Sequence, residues 1–332
     1  MPGSVGIRHT LLALCVLSFL FVGCTQNAPA TNVTGPVAKT VPHQNAWGIY
    51  ALDLATGDVE LLYSPPNEIY ASALRLNGQG DRLVFAQKVG GTSEENVEIF
   101  TIGADGNDLH QVTNNSFWDL YPTWSPDSSR IAFLSKRDTD LDIYVIGADG
   151  SNEHELYDSG SNDADVDWAG NRIVFTSGFA IWEITDDGTQ PTQVTNPADA
   201  GQWGTANLPI GDYDPRLSPD ATKIVFERLE DPDTTHGSYD IFTINFDGTG
   251  ERRLTDTGYA QGLASWSHSG DKIVYMVAAT GDQGKYDIYM MNTDGTDNKD
   301  VTPGYFPPGF LCHSPAFSKD DSKIFFIGQW WE

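Results

Sequence analysis

An all-β fold is predicted: a six-bladed β-propeller of four-stranded blades, closed by N- and C-terminal strands that share the last blade. Three observations predict it. One pattern of strand and turn signals recurs at a period of roughly 45–50 residues, the range of four-stranded propeller blades. Within each copy, short β-branched and aromatic runs are bounded by Ser-Pro-Asp-like and Asp-Gly turns. The chain ends on the first half of a copy and opens, after residue 45, on the second half.

Residues 119–157 set the pattern. Trp124-Ser125-Pro126-Asp127 is followed by the apolar run Ile131-Ala132-Phe133-Leu134, then by Asp142-Ile143-Tyr144 and a closing Asp149-Gly150. The same order returns four times. It appears as Leu83-Val84-Phe85 with Asp105-Gly106, and as Trp168, Ile173-Val174-Phe175 and Asp187-Gly188. It appears again as Leu217-Ser218-Pro219-Asp220, Ile224-Val225-Phe226 and Asp247-Gly248, and as Trp266, Ile273-Val274-Tyr275 and Asp294-Gly295. The sixth copy is split. Residues 316–327 supply its first two strands, and residues 47–63 supply its last two, with Thr56-Gly57-Asp58 as their turn. Joining the halves removes two unpaired sheet edges, which otherwise invite aggregation.

Three segments follow along the chain: a leader over 1–23, a tether over 24–45 and the propeller over 46–332. Arg8 precedes an apolar run at 11–22, about a dozen residues, which suits a signal h-region rather than a spanning helix of roughly 20. The run ends in Phe21-Val22-Gly23-Cys24, which resembles a bacterial lipobox with Cys24 as the lipidated residue, although Phe21 stands where Leu is usual. Thr25 is not the Asp that retains lipoproteins at the inner membrane, which favours the outer membrane in a host that has one. Residues 26–45 are polar, rich in Ala, Thr, Pro and Asn and without periodicity, as a flexible tether should be. Cys15 falls in the leader, so Cys312 is left without a partner for an intramolecular disulfide. Its neighbour His313 makes a nucleophile–base pair conceivable in type, but no orienting third residue accompanies it, and an incidental thiol is expected.

The formal net charge is −27. It speaks against nucleic acid, whose phosphates need Lys and Arg clusters, and against adsorption to an anionic lipid surface, leaving the acyl group as the membrane attachment. A monomer is expected.

Strand alternation places the Ser-Pro-Asp and Asp-Gly turns on one face, and the longer, variable loops on the other, where binding is expected. Asp119, Asp163, Asp165, Asp212, Asp214 and His313 precede or begin the innermost strands, so they are expected to ring the channel mouth. Converging carboxylates suit a hard cation, with Asp119, Asp165 and Asp214 as the candidate ligands; the competing reading is that each Asp caps its own turn. No other cofactor is expected. Trp118, Trp203, Tyr305 and Phe306 are candidates for an apolar binding rim, or else for packing within the long loops. Asp138, Asp140 and Asp142 alternate, with Asp149 at the twelfth position of a calcium-type loop, but the glycine turn of such a loop is missing and no calcium site is expected. The acid at Asp142, Asp240 and Asp287 recurs once per blade, which argues for a structural hydrogen bond.

The repeats at 122–150, 215–248 and 265–295 resemble the TolB-type propeller repeat, also called the PD40 or WD40-like repeat. The resemblance covers residues 47–327. It implies a six-bladed propeller with terminal-strand closure and a place in the cell envelope, on the periplasmic side of the outer membrane or at the cell surface. The periplasmic member of that family in the Tol-Pal system carries an α/β domain before its propeller, where residues 24–45 read as a tether.

Two function classes follow. One is a non-catalytic scaffold presenting the loop-rich face to an envelope protein or a glycan. The other is a propeller enzyme with a metal-assisted site at the channel mouth, as in oligogalacturonate lyases. The histidines at 110, 154, 236, 268 and 313 fall at different blade positions, and only His313 is expected at the mouth. A peptidase-gating role lacks the Gly-x-Ser-x-Gly elbow.

Overall fold

The computed structural model describes residues 46–90, 96–206, 208–231, 238–278 and 286–330. The leader, Cys24 and the tether lie outside them. Among the described residues no helix is long and apolar enough to cross a membrane.

Strands β1 (Ala46–Asp53) and β2 (Val59–Tyr63) come first. The next sheet holds β3 (Ile69–Leu76), β4 (Arg82–Lys88), β5 (Val97–Gly103) and β6 (His110–Gln111). The one after it holds β7 (Asp119–Trp124), β8 (Arg130–Ser135), β9 (Asp142–Gly147) and β10 (His154–Tyr157). Then come β11 (Asp163–Ala169), β12 (Arg172–Ser177), β13 (Ala180–Thr185) and β14 (Thr192–Gln193). They are followed by β15 (Gly211–Leu217), β16 (Lys223–Asp231), β17 (Ser238–Asn245) and β18 (Arg252–Arg253). The remaining strands are β19 (Ala260–Trp266), β20 (Lys272–Ala278), β21 (Tyr286–Asn292), β22 (Lys299–Asp300), β23 (Phe310–Phe317) and β24 (Lys323–Trp330). These six join β1 and β2 in an eight-stranded sheet, in which β21 and β23 meet only at the parallel pair Tyr286–Leu311.

The first strands of successive sheets lie against one another in a closed ring, β3–β7–β11–β15–β19–β23 and back to β3. The termini meet as the repeat pattern requires: β1 pairs antiparallel with β24 along its whole length, from Ala46–Trp330 to Asp53–Lys323.

Local chemistry explains the elements. The second strands are buried on both faces between neighbouring sheets, so Leu83-Val84-Phe85 and Ile131-Ala132-Phe133 read as continuous apolar runs. The fourth strands are exposed and short, two residues in β6, β14, β18 and β22, which limits the free edge offered to another chain. In the Ser-Pro-Asp turns the Asp folds back on its own loop. Asp127 Oδ1 accepts from Ser125 Oγ at 2.6 Å and from the Ser129 amide at 3.0 Å, and Asp320 repeats this with Ser318 and Ser322. These bonds to the charged form hold both carboxyls down at about 2.

The glycine of each Asp-Gly turn does more than allow a positive φ. A Cβ on Gly188 would lie 2.2 Å from the Leu156 carbonyl oxygen, and one on Gly106 would lie 2.5 Å from that of Leu62. These two turns therefore dock on the fourth strand of the preceding sheet, where a side chain does not fit.

Candidate functional site

Every first strand carries a bulge. The register with the second strand slips between Leu120 and Thr123, Ala164 and Asp167, Tyr213 and Arg216, Gly262 and Ser265, and His313 and Ala316. A residue at each slip takes a positive φ: Tyr121 at 51°, Asp165 at 57°, Asp214 at 48°, Leu263 at 53° and Ser314 at 47°. A left-handed non-glycine residue costs roughly 1–2 kcal/mol, so five in equivalent places mark an imposed geometry. A bulge inverts the alternation of side chains beyond it, and that inversion decides which acids converge.

Asp165 and Asp214 converge. The Asp214 amide donates to Asp165 Oδ2 at 3.2 Å, and Arg216 donates from Nη2 to Asp214 Oδ1 at 3.0 Å and from Nη1 to the Asp165 carbonyl at 3.3 Å. Glu227 on β16 joins them, its Oε2 accepting from the Leu263 amide at 3.2 Å. Asp167 links three first strands, accepting from Thr123 Oγ1 at 3.1 Å and from the Leu217 amide at 2.8 Å. Arg75 on β3 acts on Asp165, Asp167 and Asp214 by its charge. Two guanidiniums thus face four carboxyls, all of them buried except the half-buried Arg75.

Burial is the largest influence on these acids. It raises Asp165, Asp167, Asp214 and Glu227 above the usual carboxyl range. For Asp214 the charges of Asp165 and Glu227 push the same way, and Arg75 opposes them. Asp214 and Glu227 act on each other, and two bare carboxylates in this setting repel, which favours protonation within the pair. Asp165 Oδ1 and Gln261 Oε1 have no hydrogen-bond partner among the described residues.

Asp119, Asp163, Asp212 and His313 each have partners of their own, apart from the bond that joins Asp165 and Asp214. Asp119 stands before the bulge, opposite Ser135, and is satisfied locally by Ser135 Oγ at 2.6 Å and Asn115 Nδ2 at 2.7 Å. Asp163 takes the hydroxyl of Ser159 at 2.6 Å, and Asp212 takes the guanidinium of Arg228. His313 lies between the rings of Trp47, 6.3 Å away, and Tyr286, 5.1 Å away. Burial pushes His313 down to about 4, which keeps it neutral. Cys312 is buried and forms no disulfide among the described residues. Among the described residues, the acids whose oxygens gather as metal ligands do not include Asp119, Asp165 and Asp214.

The apolar rim is likewise divided. Trp203 is 53 % exposed on the loop between β14 and β15. Tyr305 and Phe306 instead pack their own loop: Phe306 lies 4.6 Å from Phe310 and 6.1 Å from Phe326, and Tyr305 lies 5.4 Å from Phe306. Trp118 packs, half-buried, against the core around Leu120 and Phe133. Tyr259, on the loop between β18 and β19, is exposed and was not singled out from sequence.

Arg75, Asp167, Arg216 and Glu227 were also missed, although a signal existed. Aligning the repeats on their anchor aromatic or Leu puts Arg75, Thr123, Asp167, Arg216, Ser265 and Ala316 in one register, and a charge there is out of place in a core strand. Glu227 follows Phe226 where the other copies have Ala86, Leu134, Thr176, Met276 and Ile327.

No family model and no curated protein matches the sequence. Solved structures do match it. The putative TolB from Agrobacterium tumefaciens superposes with a TM-score of 0.64 at 18% identity, over 85% of this chain and 97% of that one. The fold is a TolB-like β-propeller. TolB from Acinetobacter baumannii gives 0.57 at 18% identity, over 75% of this chain and 64% of its own. A propeller likeness extends to a chain of a nidogen/laminin complex, at 0.57 and 11% identity over 85% and 97%. At these identities the likeness concerns the fold, and function has to be argued from the residues of this propeller.

Proposed function

We propose that the chain is a six-bladed, TolB-like propeller that serves as a non-catalytic binding scaffold at the cell envelope, held to a membrane by lipid on Cys24 and presenting its loop-rich face to a protein or a glycan. Six blades are supported by the ring of six first strands and by the single pair, Tyr286–Leu311, at which the eight-stranded sheet divides into β19–β22 and β23–β24–β1–β2. The observation that carries the scaffold reading is the contrast between the channel and the loops. The ionisable channel groups are buried, apart from the half-buried Arg75, and engaged by protein partners, whereas Trp203 and Tyr259 stand exposed on inter-sheet loops that strand direction places on one face. Large exposed aromatics on a rigid frame are the residues binding faces use.

A photo-crosslinking residue at position 203, compared with one at Leu109 on the opposite face, tests this in envelope preparations. Discrete adducts at 203 and none at 109 are expected. Equal labelling at both, or none at 203, overturns the reading. Membrane fractionation of Cys24→Ser tests the anchor separately: release into the soluble fraction is expected, and retention at wild-type level refutes lipid attachment at Cys24.

A further inference from the structure

The loop from β8 to β9 runs Arg137-Asp138-Thr139-Asp140-Leu141 into Asp142, the first residue of β9. One carboxylate oxygen from each of Asp138, Asp140 and Asp142 lies within 4.8 Å of the others. Calcium holds oxygen ligands at about 2.3–2.6 Å, so ligands on opposite sides of one ion stand about 4.8 Å apart. One ion therefore fits among these three oxygens.

Three acids on a loop do not make a site by themselves. The second observation is the state of Asp142. It is 2 % exposed, and its Oδ1 has no hydrogen-bond partner among the described residues. In two other blades the equivalent acid is satisfied by a threonine just past the fourth strand. Thr113 Oγ1 donates to Glu98 Oε2 at 2.7 Å, and Thr255 Oγ1 donates to Asp240 Oδ1 at 3.1 Å. In this blade Tyr157, paired with Ile143, stands in the threonine's place, and its ring lies 5.5 Å from that of Phe175. The donor is gone, the acid remains, and two further carboxylates have been brought beside it. A buried carboxylate oxygen without a partner is costly, and a cation removes that cost.

The surrounding charges agree. Those acting most on Asp142 come from Asp158, Asp140, Asp138 and Glu155, and all are negative. The neighbouring base, Arg137, is paired with Glu153 and lies over the ring of Tyr144.

We propose that Asp138, Asp140 and Asp142 bind a divalent hard cation of the calcium class, which ties the β8–β9 loop to the start of β9. The missing glycine of a twelve-residue calcium loop is then no objection, because the strand itself supplies the third ligand. Asp149 takes no part: it lies beyond the far end of β9 and accepts from Ser151 Oγ at 2.6 Å. This site is separate from the channel and does not rest on the scaffold reading.

The test is calcium titration of the chelator-treated full chain, read by calorimetry and by hydrogen exchange of a peptide covering 136–144. Asp138→Asn and Asp140→Asn alter side chains that are not buried, so folding should survive; Asp320→Asn, in an exposed turn elsewhere, is the control. Calcium should bind wild type and slow exchange in this peptide. Either loop variant should weaken binding at least about tenfold through the lost ligand charge and abolish the slowing, whereas Asp320→Asn should do neither. Absence of calcium-dependent slowing in wild type, or its persistence in both loop variants, overturns the proposal.

Discussion

Arg228 grips Asp212 through two hydrogen bonds, Nε to Oδ1 at 2.5 Å and Nη2 to Oδ2 at 3.0 Å. The same guanidinium also donates to both carboxylate oxygens of Glu251 at 2.8 Å and lies over the rings of Phe226 and Phe242. Asp212 is fully buried, at the position where Asp119 and Asp163 are served by serine hydroxyls. Arg228→Leu would leave that carboxylate buried and uncompensated, a change that typically costs about 3–5 kcal/mol. Urea unfolding should show a loss of that order, with part of it recovered in Arg228→Leu/Asp212→Asn. A loss below about 1 kcal/mol would place the pair among ordinary surface bridges.

The channel acids make stability depend on pH in an unusual direction. Asp165, Asp214 and Glu227 are raised in the folded state, Glu227 from 4.5 to about 8. Between the ordinary carboxyl range and these raised values the folded chain holds more protons than the unfolded one, so stability is lost as pH rises through the window. The turn acids Asp127 and Asp320, held at about 2, act at lower pH; buried His313, held at about 4, opposes the trend below 6.5, and Asp163, raised to about 7, adds to it. Shifting one carboxyl pKa by one is worth about 1.4 kcal/mol, so denaturation midpoints at about pH 5 and about pH 8 should differ measurably, with the lower pH the more stable. Glu227→Gln should flatten the dependence. Identical slopes in wild type and Glu227→Gln would mean that this cluster is not its source.

The repeat was legible because its turns demand particular chemistry: an Asp that folds back at 127 and 320, and a glycine after each turn Asp. The split sixth copy was legible because residues 47–63 and 316–327 complete one pattern. The convergence of channel acids was not, and the reason is the bulge. The acids were grouped because they precede or begin the innermost strands, but Asp165 and Asp214 are themselves the left-handed bulge residues, in the place of Tyr121. Asp119, which stands before the bulge, was therefore grouped with acids that stand in it. Asp142 shows a second limit: its role in the repeat was visible, whereas the effect of Tyr157 replacing a threonine became visible only once partners could be assigned.

The docking of Asp-Gly turns on the preceding blade yields a paired comparison. Gly188 and Gly270 have nearly the same φ, 78° and 76°, but a Cβ on Gly188 meets the Leu156 carbonyl, whereas one on Gly270 meets nothing within 4 Å. Gly270→Ala should cost roughly 1–2 kcal/mol for its backbone conformation alone. Gly188→Ala should cost about 1–3 kcal/mol more, because one blade must shift from its neighbour. Equal melting temperatures for the two variants would refute a contact role for the glycine.

Closure of the ring rests on β1 and β24, and its most crowded point is a pair of glycines. Gly48 lies opposite Gly328, and the ring of Tyr50 covers both: a Cβ on either would come within 2.7 Å of a Tyr50 ring carbon. Tyr50 in turn stacks on Phe326 at 5.3 Å and meets Phe310 edge-on at 5.9 Å. The seam is thus an aromatic plate laid over a gap that only glycine leaves open. Gly328→Val would displace that plate and should cost about 1–3 kcal/mol by overpacking. Deleting residues 46–63 removes both outer strands of the shared blade and bares the edge of β24 together with Phe326 and its apolar neighbours. Edges of that kind recruit other chains, so the truncated protein should aggregate or melt far below the parent, as read by light scattering during a thermal ramp. The glycine variant should stay monomeric with a lowered midpoint, since its ladder to β24 remains. A truncated protein that stays monomeric with the parent's midpoint would show that the other sheets stand without the seam.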